Sequence, residues 1–154
     1  MYVFCDETVA LTLEVLNQGH RFDASVYGSV ETVGKNVYAQ TDMSIGYSFC
    51  GYGMVSFATN VKYRNSFLTT SEYLCIGVGG SVGKNEGRIG VTGGCQTYLL
   101  SDYGSVIPLV GGELLYAWFI SDHISLRIKE RISLLAAEVR TLSTSTFFGL
   151  GISF

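Results

Sequence analysis

Ile124-Ser125-Leu126-Arg127-Ile128-Lys129-Glu130-Arg131-Ile132-Ser133-Leu134 is the stretch on which the fold turns. Ile124, Leu126, Ile128, Ile132 and Leu134 hold the even positions, and Ser125, Arg127, Lys129, Arg131 and Ser133 the odd ones. Successive side chains of a β-strand point to opposite faces, so a strand here is greasy on one side and cationic on the other. Glu130 breaks the rule by placing a carboxyl in the greasy row, which calls for a position near a membrane interface or a shift of register. The stretch also has helical spacing at Ile124, Ile128, Ile132, Leu135 and Val139, so a helix over about 125–139 is the competing reading.

Outward from that stretch, the same period-two pattern recurs in segments of about ten residues divided by turn-formers. Phe22, Ala24, Val26, Gly28 and Val30 alternate with Asp23, Ser25, Tyr27, Ser29 and Glu31, before a turn at Val33-Gly34-Lys35-Asn36. Val37 to Phe49 sets Met43, Ile45, Tyr47 and Phe49 against Gln40, Asp42, Ser44, Gly46 and Ser48. After Gly51-Tyr52-Gly53, the row Val55, Phe57, Thr59, Val61, Tyr63 opposes Ser56, Ala58, Asn60, Lys62 and Arg64, and a loop is expected over 65–70. Ser71 to Val82 and Arg88 to Leu99 flank a turn at 83–87, with Leu74, Ile76, Val78, Val82, Ile89 and Val91 on the apolar side. Leu109 to Ile120 leads through Ser121-Asp122-His123 into the opening stretch, and Thr146 to Phe154 alternates up to the last residue.

Hydrophobic residues make up 47% of the 154, and charged residues only 15%, against about 25% charged in ordinary soluble domains. Yet Gly, Ser, Thr or a charge interrupts every apolar run before the roughly 18 residues that a spanning helix needs. A chain that crosses lipid without helices must pair its backbone groups between strands and leave no edge, which means a closed barrel. The fold expected is therefore all-β: a transmembrane antiparallel up-and-down barrel of eight strands from Phe22 onward, as one domain over 1–154. Residues 1–20 are left over. There Val9, Leu11, Leu13 and Val15 alternate with Ala10, Thr12, Glu14 and Leu16, so the segment is either an extra strand, implying ten strands or the end of a larger barrel, or an amino-terminal segment outside the barrel or plugging it.

If the greasy rows meet lipid, the polar rows enclose a lumen, where unpaired charge is costly. Asp23, Glu31, Asp42 and Glu113 are then expected to neutralise Arg88, Arg127, Lys129 and Arg131 in an internal ion-pair network. A soluble ligand-binding barrel, like a lipocalin, is the reading with parity reversed. The formal net charge of −3 leaves no basic face for nucleic acid. Cys5, Cys50, Cys75 and Cys95 show no metal or redox spacing, and parity sends Cys75 to the lumen and Cys95 to the opposite face.

The last residues put Phe148, Leu150, Ile152 and the terminal Phe154 in one row. This looks like the carboxyl-terminal β-signal of bacterial outer-membrane proteins, which the barrel-assembly machinery reads. Gly112-x-Glu with a short polar turn at 121–123 and an inward Arg127 resembles the penultimate hairpin of small barrels such as the OmpA transmembrane domain. The likeness covers roughly the last 45 residues closely and the rest as a pattern. It implies a bacterial outer-membrane location, contact with outer-membrane lipid and lipopolysaccharide-type lipid, a monomer, and a structural or adhesin-like role. A narrow solute channel, or the translocator end of an autotransporter, is the alternative. It also implies that the turns at 50–53, 83–87 and 121–123 are periplasmic and the links at 65–70, 100–107 and 135–143 extracellular. Phe22, Phe49, Trp118 and Phe154 then gather at the periplasmic rim. Met1 to Glu7 lack the segments of a signal peptide, so export needs one upstream.

No catalytic residue, cofactor or metal is expected. His123-x-Ser125 matches the string of a lipid-modifying pair but falls in a turn at the periplasmic end. Gly77 to Lys84 faintly resembles a phosphate loop, yet Asn85 follows Lys84 where Ser or Thr belongs, and the stretch reads better as strand and turn.

Overall fold

In a computed structural model, residues 20–33, 36–49, 52–64, 67–98, 106–136 and 141–154 are described, the side chains of 30–38, 64, 67 and 141 excepted. Eight strands follow one another: β1 (Arg21–Val33), β2 (Asn36–Phe49), β3 (Gly53–Arg64), β4 (Phe67–Val82), β5 (Asn85–Tyr98), β6 (Val106–Phe119), β7 (Ile124–Leu135) and β8 (Thr141–Ser153). Each pairs antiparallel with the next, and β8 returns to β1 to close the barrel. The closure is tied at its end by Phe22 N–H to Phe154 O at 3.1 Å and Phe154 N–H to Phe22 O at 2.9 Å. The barrel closes on eight strands, not ten; Val9 to Leu16 lies outside the described residues.

Its stagger can be followed along one row of partners, Asp23, Gly46, Ser56, Cys75, Thr92, Gly111, Ser133 and Ser143. That row reaches β8 ten residues from Ser153, the β8 partner of Asp23. Such an offset accompanies strands tilted by about 35–45°, and eight strands leave an interior that side chains can fill.

The burial is inside out. Along β7, Ser125, Arg127, Lys129, Arg131 and Ser133 are buried, while Ile124, Leu126, Ile128 and Ile132 are exposed. The odd–even rule therefore prevails over the helical spacing, because each β7 residue from Leu126 to Leu134 has partners on both β6 and β8. Val26, Ile45, Phe57, Ile76, Val91, Leu114 and Leu150 extend the exposed apolar surface around the barrel. Leaving such side chains in water forfeits about 1.5–3 kcal/mol each, and soluble monomers rarely expose a continuous patch of this kind. Lipid is the solvent that this surface fits, and a ligand-enclosing soluble barrel, whose greasy rows would line the lumen, does not describe the chain.

Two turns are tighter than the composition suggests. β4 begins at Phe67 rather than after a loop over 65–70: Leu68 to Thr70 continue the ladder to Val61–Tyr63, and Thr69 Oγ1 donates to Lys62 O at 3.2 Å. β5 begins at Asn85, because Gly83, with φ of 59°, and Lys84 suffice to reverse the chain. The links that remain longer are those from Tyr98 to Val106 and from Leu135 to Thr141, both at the end opposite Gly83.

Candidate functional site: the charged lumen

The lumen holds two layers of charge. Towards the end where the chain turns at Gly83, Asp23 of β1 accepts Arg88 Nη2 at 2.8 Å, Arg127 Nη2 at 2.9 Å and the Ser153 hydroxyl at 2.6 Å. Glu86 of β5 takes Arg21 Nη2 at 2.6 Å and the Nε of Arg88. Arg127 Nε also donates to Ser125 Oγ at 2.8 Å. Three guanidinium groups thus share two carboxylates, and the shared oxygens of Asp23 bind β1, β5, β7 and β8 into one network. Gly151 is what lets Arg127 fit: a Cβ there would run into the guanidinium.

The second layer is nearer mid-height. Asp42 of β2 accepts Lys129 Nζ and, at 2.8 Å, Arg131 Nη1. Arg131 Nη2 reaches Glu113 of β6 at 2.7 Å. Aromatic rings close the remaining space: Lys129 Nζ lies 3.9 Å from the centroid of Tyr27, and Arg131 Cζ 3.9 Å from that of Tyr73, with Phe147 beside both. A cation is attracted to the face of a ring, more strongly where water is excluded. Lys129 and Phe147 are each only 1% exposed, and Asp42 0%. Two cations meet two carboxylates here, so the charges of the layer balance, and its side chains are almost wholly closed to solvent.

Of the residues singled out in the sequence, the structure gathers Asp23, Arg88 and Arg127 in one layer and Asp42, Glu113, Lys129 and Arg131 in the other. The side chain of Glu31 lies outside the described residues. Arg21 and Glu86 were missed. Glu86 belongs to a Gly83-Lys84-Asn85-Glu86-Gly87 run that reads as a loop, yet counting back two from Arg88 gives it lumen parity. Arg21 stands two before Asp23 by the same count.

Below the first layer a vestibule of about 660 Å³ opens at the Gly83 end, bordered by His20, Arg21, Tyr52, Lys84, Arg88 and Phe119 among others. Arg21 lies over the Phe119 ring at 5.3 Å, and the vestibule ends against the ion pairs of Arg88. On the outer rim of this end Phe22, Phe49, Trp118 and Phe154 are all exposed. Phe148, Leu150 and Ile152 also face outward.

The chain shares this architecture with small membrane barrels of known structure. A de novo designed transmembrane β-barrel superposes with a TM-score of 0.61 at 12% identity, covering 88% of this chain and 96% of the other. The outer membrane protein OprG from Pseudomonas aeruginosa gives 0.60 at 10% identity, over 88% and 96%. Ail, the attachment invasion locus protein of Yersinia pestis, gives 0.53 at 11% identity, over 88% and 99%. At such identities the likeness is one of fold. No protein-family model and no curated protein sequence matches the chain.

His123 and Ser125 point apart. His123 Nδ1 lies 3.0 Å from Ser153 O, whereas Ser125 Oγ is buried in the lumen, accepting from Arg127 and facing Gly151 O. Gly77 to Val82 belong to β4. Cys75 is buried inside and Cys95 lies on the outward row, and both are free thiols; Cys5 and Cys50 fall outside the described residues. Among the described residues no cluster of His, Cys, Asp and Glu has metal-binding geometry.

Outside the lumen two carboxyls occupy the lipid row among the described residues. Glu72 sits towards the long-link end of β4, next to Thr59 and Cys95. Glu130 is in register, six residues from Ile124 and five from Leu135, with Leu114 and Thr146 as its partners. It is therefore a mid-strand residue on the outer face, and the register is not shifted.

Proposed function

We propose that this chain is a bacterial outer-membrane barrel with a sealed lumen, which contributes to the envelope structurally and displays its longer links at the cell surface in an adhesin-like role, without catalysis. The observation that carries this reading is the mid-lumen layer of Asp42, Lys129, Arg131 and Glu113 capped by Tyr27, Tyr73 and Phe147. A neutral, water-excluding plug with its charges from β2, β6 and β7 and its rings from β1, β4 and β8 favours a scaffold over a conduit, and the vestibule below it is a dead end. The links from Tyr98 to Val106 and from Leu135 to Thr141 supply the surface-facing part. The fold likeness to Ail, whose name describes attachment and invasion, is in keeping with that role. Outer-membrane phospholipid and lipopolysaccharide-type lipid are the partners of the outer rows, and Phe148, Leu150, Ile152 and Phe154 are the residues that the barrel-assembly machinery would read.

Reconstitution into a planar lipid bilayer tests the sealed lumen: the expected record is silent, and a steady ohmic single-channel conductance would overturn it in favour of a narrow channel. An epitope tag placed between Tyr98 and Val106 tests the orientation. Antibody should label intact cells, and labelling only after the outer membrane is permeabilised would reverse the assignment of the two ends.

A further inference from the structure

The mouth at the Gly83 end is charged out of balance. Inside it, the guanidinium groups of Arg21, Arg88 and Arg127 stand against the carboxylates of Asp23 and Glu86 alone, so one positive charge goes unanswered. Lys84 and Asp122, both exposed on the rim, offset each other. The excess is presented by Arg21, whose side chain is 28% exposed, whereas those of Arg88 and Arg127 are 5% and 2% exposed. The bonds of Arg21 to Asp23 and Glu86 use its Nε and Nη2, not its Nη1, and the Phe119 ring backs it at 5.3 Å. A guanidinium held in this way loses little freedom when it takes a further acceptor.

Ser48 is the cross-strand partner of Arg21 and lines the same vestibule. Its Oγ is buried and has no hydrogen-bond partner among the described residues. A hydroxyl left in that state is costly, and a ligand that accepts from it recovers the loss. A cation and a spare donor on one rung, in a cavity that ends blindly, make a receptor for an oxyanion. Charge chooses between oxyanions. A carboxylate brings the single negative charge that this end lacks, whereas a phosphate monoester brings about −1.5 to −2 at pH 7 and overshoots. The vestibule, at about 660 Å³, has the size of a small-molecule site, and Tyr52, Met54 and Phe119 give it an apolar wall.

We infer that the vestibule is a carboxylate-binding site, in which Arg21 donates through its guanidinium and the Ser48 hydroxyl turns about the Cα–Cβ bond to donate beside it. Two sources of that group are at hand. One is a small monoanionic acid from the compartment onto which the mouth opens. The other is the chain itself, because residues 1–19, which lead into His20 at the vestibule border, carry Asp6, Glu7 and Glu14 and no Lys or Arg. The site stands whether or not the lumen conducts and whichever side of the membrane the mouth faces.

The test titrates para-fluorobenzoate into the full chain in detergent micelles, followed by its fluorine NMR shift with empty micelles as the blank. Saturable binding is expected, and para-fluorobenzamide, of the same shape without the charge, should show none. S48A should weaken binding about fivefold, the usual worth of one hydrogen bond. It should leave heat-modifiable migration on gels unchanged, because the hydroxyl makes no bond among the described residues for the fold to lose. R21Q should weaken binding about tenfold or more, as expected for a bond to a charged group. The D6N/E7Q/E14Q variant separates the two sources. Affinity equal to that of the parent assigns the site to a solute, and affinity raised severalfold shows the chain's own carboxylates competing for it. The inference is overturned if neither the parent nor that variant binds, or if the amide binds as well as the acid. Binding that neither S48A nor R21Q reduces overturns it too, as does inorganic phosphate displacing the probe at a lower concentration than acetate.

Discussion

Asp42 has no access to solvent and hydrogen-bonds two cations at once, Lys129 and Arg131. Removing one partner of a buried ionic group costs far more than the intact pair contributes, because the remaining charge stays desolvated. The D42A variant should therefore lose about 3–5 kcal/mol of stability, the cost typical of breaking a buried pair. Urea unfolding in lipid vesicles would register this through Trp118, the chain's single tryptophan, which faces outward. E113Q should cost less, since Arg131 keeps Asp42. A D42A barrel as stable as the parent would mean that water reaches Lys129 freely and that the layer is not a dry plug. Parity in the sequence is enough to turn Asp42 and Lys129 inward. It cannot pair them, because they stand 87 residues apart and meet only across the lumen of the closed barrel.

At the scale of the strand, β7 was legible because its two rows differ so sharply in chemistry, and the rival helix fails for a reason that no local spacing reveals. A lone helix would satisfy its own backbone but would leave the facing edges of β6 and β8 unpaired in lipid, where each unsatisfied group is expensive. Turns were less legible. Gly83-Lys84-Asn85-Glu86-Gly87 has loop composition throughout, yet a single residue at positive φ makes two residues enough. G83A should accordingly cost about 1–2 kcal/mol, the penalty of the left-handed conformation for a residue with a Cβ, seen as a lower urea midpoint with unchanged slope. The outer row of β7 supports a depth series. Ile128 is mid-strand and Ile124 is at the end, so I128R should destabilise by about 2–4 kcal/mol and I124R by about 0–1. Equal effects at the two positions would contradict a bilayer that is centred on the middle of β7.

For the whole molecule, closure is the step that makes an edge-free structure, and it depends on the seam between β1 and β8. The paired residues at that seam run over Asp23–Gly28 and Phe148–Ser153, whereas β1 and β2 pair along all of β1. The seam is also the contact with the greatest separation in sequence, so it carries the largest loop-closure entropy and forms late. Unfolding should begin there, and a covalent tie across it should act on the entire barrel. Val26 and Leu150 are direct partners, and opposed residues of an antiparallel pair lie within the Cα spacing that a disulfide spans. In a background lacking the four native cysteines, oxidised V26C/L150C should keep the fast-migrating folded form on gels at temperatures that convert the reduced sample. The same tie at Thr59 and Glu72, partners on neighbouring β3 and β4, closes a far shorter loop and should give a smaller shift. If the two ties proved equivalent, or the seam tie had no effect, opening would start elsewhere, and the shorter ladder between β1 and β8 would not be the weak point of the barrel.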